Sequence, residues 1–245
     1  MSKAPQSIDS AIYEPVFVRS LFDEMSSTYG LVNVITSFGF CILWREQCAR
    51  LIDDYEDGDR IVDLMSGMAE LTLHVRRKVT ERAEILGIDL STVMCATATE
   101  TISRKGLTRC RAEVGDALAT GLPDGSVDAA VSTFGLKTFD DDQLRQLALE
   151  CRRVLRPGGR VAFLEISVPA PKILRCPFMF YIRKIIPVLG RILMGNPDNY
   201  RLLGVYTEAF ENCDKTVGFF EEAGFKVEPK SFFFGCATGF AGIRE

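Results

Sequence analysis

A doubly wound α/β fold, built on a mostly parallel, Rossmann-like sheet, is predicted by three features of this sequence. Short apolar runs recur at residues 61–64, 85–88, 111–114, 129–133 and 161–165. Helical stretches separate them, a pattern that means parallel βαβ units. The second feature is residues 60–70, Arg-Ile-Val-Asp-Leu-Met-Ser-Gly-Met-Ala-Glu. They read as a strand, a small-residue turn at Ser66, Gly67 and Ala69, and the start of a helix. Doubly wound sheets use that order to bring backbone N–H groups up to a ligand. Third, Pro157-Gly158-Gly159 stops the helical stretch 143–155 and turns the chain into the last of these strands.

In chain order, residues 1–12 are polar and expected to fray. Residues 15–50 carry a helical pattern. Phe17, Leu21, Phe22 and Met25 recur at three- and four-residue steps, Ser37-Phe38-Gly39 interrupts them, and Leu43, Trp44 and Cys48 resume. This aromatic segment would cap the domain or cover a site as a lid. The alternating strands and helices follow. Residues 166–197 then change character: Lys172, Arg175, Arg183, Lys184 and Arg191 stand among apolar side chains with no Asp or Glu. Such a stretch is either a packed helical insertion with a basic outer face or a basic, apolar surface that meets a membrane or admits a greasy substrate. A helix over 216–223, closed by Gly224, leads to strands at Val227 and 232–234, expected to form an antiparallel edge pair. The organisation expected is a single domain over 1–245. It comprises a helical cap (1–55), a cofactor-binding core (56–165), a helical insertion (166–215) and a C-terminal helix with strands (216–245).

Composition narrows the function. A net charge of −4 argues against nucleic-acid binding, which needs a cationic face. Eight scattered cysteines without a C-x-x-C pair, and one histidine, make no zinc site. The N-terminal Met-Ser-Lys-Ala-Pro-Gln-Ser lacks the apolar core of a secretory signal, so reduced thiols and a cytoplasmic location are expected. No charge-free run of about 18 apolar residues suggests a spanning helix.

Acidic residues follow three successive predicted strands. Asp63 and Glu70 could accept hydrogen bonds from a cationic amino group. Asp89 ends the second strand, where such sheets grip a ribose diol. Asp116, in Gly115-Asp116-Ala117, follows the third, where it could recognise an adenine amino group. Singly, such residues are ordinary helix N-caps; in register they indicate a nucleoside. The first turn lacks G-x-G-x-x-G, because Ala69 and Leu71 occupy positions where glycines would admit a pyrophosphate. A phosphate-free ligand fits better, which favours S-adenosylmethionine over NAD. An NAD-dependent oxidoreductase and a non-catalytic protein that keeps the fold remain as alternatives. His74 shares its helix with Leu71 and Val75 and reads as structural.

Taken together, the chain resembles the ubiquinone/menaquinone biosynthesis C-methyltransferases, a family of class I S-adenosylmethionine-dependent enzymes. The resemblance covers roughly residues 15–240. It rests on Phe22-Asp23, Tyr29, Asn33, Ser37-Phe38-Gly39, Trp44-Arg45, Val62-Asp63-Leu64, Ser66-Gly67, Asp89 and Gly115-Asp116-Ala117 with Leu122-Pro123. It continues through Phe134-Gly135-Leu136, residues 152–159 (RRVLRPGG), Leu164-Glu165-Ile166-Ser167, Tyr200-Arg201 and Leu203. The resemblance implies cofactor contacts from Tyr29, Asp63, Ser66, Gly67, Asp89, Leu90, Asp116, Ala117 and Thr133. It places Lys137, Tyr200 and Arg201 on the acceptor side as catalytic candidates, with Glu165 orienting an acceptor or bonding loop backbone. The implied acceptor is small, lipophilic and quinone-like or phenolic. This chain departs from the family with Ala69 for a glycine, Tyr29-Gly30 for Tyr-Asp and Lys137-Thr138 for Arg-Asn. Arg and Lys are not interchangeable where a planar fork holds an oxyanion, so methylation of another acceptor at O, N or S stays open. Residues 170–195 could be a peripheral membrane contact, a homodimer contact or a lid.

Overall fold

The computed structural model of the chain describes residues 10–26, 29–52, 55–194 and 198–245. Most of the stretch expected to fray (1–9) lies outside these residues; Ser10–Tyr13 form a 3₁₀ turn. Five parallel strands, β1 (Arg60–Leu64), β2 (Glu84–Asp89), β3 (Cys110–Val114), β4 (Val127–Thr133) and β5 (Leu155–Ile166), are extended by β6 (Phe225–Phe232) and β7 (Ala237–Arg244). The strand order is β3-β2-β1-β4-β5-β7-β6, with β7 antiparallel to both neighbours. The order reverses between β1 and β4, so a crevice opens at their C-terminal ends, where doubly wound sheets bind ligands. All five predicted parallel strands fall within observed ones.

The edge pair departs from expectation. Only Phe232 of 232–234 is a strand residue; Phe233 and Phe234 sit at φ 44° and 56° in a 3₁₀ turn. The second strand is Ala237–Arg244, whose small residues gave no strand signal. Crowding explains them: β7 lies between β5 and β6, and a Cβ on Gly239 would meet Phe163 O at 2.3 Å.

Side chains alternate across the sheet. Val62, Leu64, Leu86, Ile88, Val161 and Phe163 pack on helices α6 (Asp141–Val154) and α10 (Asp214–Glu222). Ile61, Ile85, Ala129, Val131, Ala162 and Leu164 face α3 (Phe40–Ala49) and α4 (Glu70–Arg76) on the other side. Helix α5 (Thr92–Arg104) flanks β2 and β3.

The N-terminal pattern resolves into α1 (Pro15–Met25), α2 (Tyr29–Thr36) and α3, with the turn at Ser37-Phe38-Gly39 as expected. Helix α3 joins the sheet's own helical layer: Cys48 Sγ lies 3.6 Å from the carbonyls of Ser132 and Ala162. Helices α1 and α2 instead meet the insertion, which consists of α7 (Lys172–Phe180), a π-helical turn, α8 (Ile186–Met194) and α9 (Asp198–Phe210). Their shared core is a separate cluster of Leu21, Met25, Val32, Ile182, Ile186, Tyr200 and Tyr206.

Candidate active site

Two adjoining cavities lie at the C-terminal ends of β1, β2 and β4. The first, of about 70 Å³, is lined by Asp63, Ser66, Gly67, Asp89, Leu90 and Thr133 together with Arg19, Phe22 and Arg45. Its floor is the turn after β1. Ser66 N donates to Ile88 O (3.0 Å), and Gly67 N donates to Asp89 Oδ2 (2.8 Å), so the tips of β1 and β2 are tied together. Met65 (φ 54°), Gly67 (φ 54°) and Ala69 (φ 65°) all adopt left-handed backbone here. Such strain gathers at ligand clamps. The turn after β4 closes on the same spot. Phe134 is left-handed (φ 66°), and a Cβ on Gly135 would lie 2.4 Å from Met65 Sδ.

Asp63 is fully buried. Thr72 Oγ1 donates to its Oδ2 at 2.7 Å, while Oδ1 has no hydrogen-bond partner among the described residues. Burial pushes its carboxyl up to about 7; Thr72 opposes this, and Asp89 and Glu70 add to it. Asp89 is also held above the usual carboxylate range by burial, against donation from the backbone N–H groups of Ser91 (2.9 Å) and Gly67. Ser66 Oγ is buried without a partner as well. Partnerless acceptors on a cavity wall call for a ligand rich in N–H and O–H donors, since leaving them unmade costs about 1–3 kcal/mol each. An amino-acid nucleoside meets that requirement.

Several expected contacts lie elsewhere. Asp116 and Ala117 do not line this cavity. Asp116 Oδ1 accepts from Leu118 N at 2.8 Å and Ala117 is buried in the sheet core, because β3 is the edge strand, separated from β4 by both β2 and β1. Of the three strand-end acids, Asp63 and Asp89 therefore face the crevice and Asp116 does not, while Glu70 lines it as well. Glu70 is engaged by Arg45, whose Nη2 lies 3.1 Å away and whose guanidinium covers the Phe134 ring at 5.2 Å. The Tyr29 side chain lies outside the described residues. His74 lines neither cavity; its Nδ1 pairs with Glu46 Oε2 at 2.9 Å.

The second cavity, of about 250 Å³, is almost wholly apolar, walled by Leu21, Met25, Trp44, Ile182, Tyr200 and Leu203 among others. Phe22, Phe134 and Thr138 line both cavities and form their partition. Among the described residues Lys137 supplies its one side-chain cation. The Nζ donates to Glu165 Oε1 (3.0 Å) and to Phe134 O. Glu165 is fully buried and also accepts from Lys137 N (3.2 Å) and Ile166 N (2.8 Å). It therefore both bonds loop backbone and fixes the ammonium. Tyr200 lies on the wall, its ring against Gly190 of α8. Arg201 is exposed and lines neither cavity, because successive helical residues point about 100° apart.

Sequence reasoning missed Arg19 and Arg45 as cavity residues, and missed the latch on α1. Ser91 Oγ, which caps α5 at Met94 N, donates to Asp23. The cap was readable as a serine before a helix; its partner, 68 residues away, carried no local signal.

The model of the ubiE/COQ5 methyltransferase family matches residues 10–244. The chain belongs to that family. The demethylmenaquinone methyltransferase of Thermus thermophilus is 33% identical over 224 residues, which span 91% of this chain and all of that protein. The enzyme of the same name from Geobacillus kaustophilus is 30% identical over 229 residues, 93% of this chain and 97% of its own. Among solved structures, an S-adenosylmethionine-dependent methyltransferase from Aquifex aeolicus superposes with a TM-score of 0.55 at 18% identity, covering 78% of this chain and 85% of its own. That likeness establishes the shared fold. This ubiE/COQ5 family member is an S-adenosylmethionine-dependent methyltransferase with a Rossmann-like class I sheet, as the family resemblance implies; the missing glycine fingerprint points to S-adenosylmethionine rather than NAD.

Proposed function

We propose that this enzyme methylates a lipophilic quinol-like or phenolic acceptor seated in the 250 Å³ cavity. The carrying observation is the buried Lys137–Glu165 pair on an otherwise apolar wall, beside the partition shared with the cofactor cavity. The relatives named for demethylmenaquinone support a quinol ring as the acceptor. S-adenosylmethionine, when bound, supplies an electrophilic methyl group. Asp89 would hold its ribose hydroxyls and Asp63 its ammonium, with Ser66, Gly67, Leu90 and Thr133 around them.

Lys137 does the electrostatic work on the acceptor side. A cation held in a low-dielectric cavity favours the phenolate of a ring hydroxyl, which makes the ring the stronger nucleophile. Glu165 fixes the position of the ammonium, and Tyr200 with the aromatic wall fixes the plane of the ring. Excluding water and aligning the two reactants provides most of the acceleration that such a displacement needs.

Two variants test the assignment. Lys137→Ala should lower turnover about 100-fold on a demethylated quinol while calorimetry gives a near-native affinity for S-adenosylhomocysteine. Asp89→Ala should weaken that affinity by about tenfold or more. Wild-type turnover in the first variant removes Lys137 from the reaction; unchanged affinity in the second removes Asp89 from the cofactor site.

A further inference from the structure

Three phenylalanines at the mouth of the acceptor cavity are exposed and held in left-handed backbone: Phe38 (φ 51°, 79% exposed), Phe233 (φ 44°, 49%) and Phe234 (φ 56°, 74%). Phe38 and Phe233 line the cavity. Phe38 stacks near Tyr181 (5.8 Å), Phe233 near Phe40 (4.5 Å) and Phe234 near Phe233 (5.7 Å), so the three belong to one rim. Backbone strain at bulky residues persists only where the surroundings enforce it, and it gathers at working surfaces. Here it drives large apolar rings outward into water.

The rim continues on both sides. Exposed Leu31 and Ile35 lie one helical turn apart on α2, and Ile42 follows on α3. Across the mouth, a Cβ on Gly235 would lie 3.5 Å from Pro169 Cα, which sets the Phe233–Gly235 turn against the segment leading into α7. Ile173, 89% exposed, stands in the first turn of that helix beside Lys172. Lys172, Arg175, Lys184 and Arg191 are exposed, and none of them forms an ion pair among the described residues; Arg183 pairs with Glu208. A protein of net charge −4 thus carries, on α7, α8 and the π-helical turn between them, four exposed cations and no acidic residue, while Glu208 of α9 neutralises Arg183 alone.

We infer that this face docks on an anionic lipid bilayer, with Phe38, Phe233, Phe234 and Ile173 entering the headgroup region and the α7–α8 cations meeting lipid phosphates. The charge pattern selects this occupant. Two copies joined about a twofold axis would bring like charges together, whereas an anionic membrane surface is complementary to them. Apolar rings flanked by Lys and Arg are the composition of interfacial anchors. The acceptor cavity would then open toward the bilayer, and this inference holds whatever the acceptor's identity.

Flotation of the full chain with vesicles tests it. Wild-type protein should float with phosphatidylcholine vesicles containing about 30 mol% phosphatidylglycerol, weakly with phosphatidylcholine alone, and less as salt rises. The double variant Ile173→Ser with Phe234→Ser changes two side chains that line neither cavity. It should lose vesicle affinity about tenfold with wild-type melting temperature and S-adenosylhomocysteine affinity. Lys172→Glu with Lys184→Glu should flatten the dependence on anionic lipid. Equal flotation of wild type and the serine variant would overturn the inference. So would a lipid-free dimer of the wild type that the serine variant abolishes, since that assigns the face to a second copy.

Discussion

Asp63 holds its proton far longer than an exposed carboxyl does, and the consequence for stability has a definite sign. Its folded value of about 7 lies above its ordinary value of 3.8 because burial penalises the charged form. Between those two values the unfolded chain has released a proton that the folded chain keeps. Stability contributed at this site is therefore full below the lower value, falls as pH rises through the window, and levels off above about 7. Asp63→Asn should remove that slope. The variant is expected to resist urea better than wild type at about pH 8 and to lose the advantage toward pH 4. A wild-type slope in the variant would show that Asp63 is not the titrating group. At this scale Asp63, Ser66, Gly67 and Asp89 were legible because a strand end followed by a small-residue turn is a local pattern. Arg45 was not, since its cavity role depends on Glu70 and Phe134, contacts that only folding brings about.

Helix α6 shows how local chemistry marks an element. Asp140 caps it reciprocally: Gln143 N donates to Asp140 Oδ1 at 2.9 Å, and Asp140 N donates to Gln143 Oε1 at 3.1 Å. Asp140→Ala should cost about 1 kcal/mol, read as a lower urea midpoint at unchanged slope. A cost near zero would mean that water replaces the cap. The predicted helix over 143–155 was offset by about one residue from the observed end and two from the start, the usual precision of element boundaries. The β6–β7 edge was misplaced for a different reason. Phe232, Phe233 and Phe234 have strong strand propensity, but the chain must reverse at Phe233–Gly235 to reach β5, so tertiary geometry overrides it. Small residues in β7 answer to packing that no local pattern reports.

Across the whole molecule there are two kinds of core, and damage to each should read out differently. Phe220 is fully buried among Phe163, Phe225 and Phe240 in the sheet core. Phe220→Ala should cost about 3–5 kcal/mol and lower the melting temperature of the entire domain. Ile186 belongs to the separate cluster that joins α1 and α2 to α8 and α9. Ile186→Ala should speed amide exchange in those helices and raise the KM for the acceptor, while protection of β1 to β5 stays near wild type. Uniformly faster exchange would show that the two cores unfold as one. The sheet, its switch point and the cofactor class were readable from periodicity and turn chemistry. The closure of cap on insertion was not: Tyr206 OH donates to Ile12 O across 194 residues, and no sequence period announces such a pair.

The cysteines carry one practical consequence. All eight are free thiols; Cys176 on α7 is the exposed one, while Cys110 is half-buried and the rest are buried. Burial pushes the thiols of Cys48, Cys95, Cys110, Cys151, Cys213 and Cys236 up, which slows their alkylation. The natural chain therefore offers a single ready attachment point for a maleimide fluorophore. A polarity-sensitive dye fixed there would report whether α7 leaves water when anionic vesicles are added, in real time and without any engineered residue.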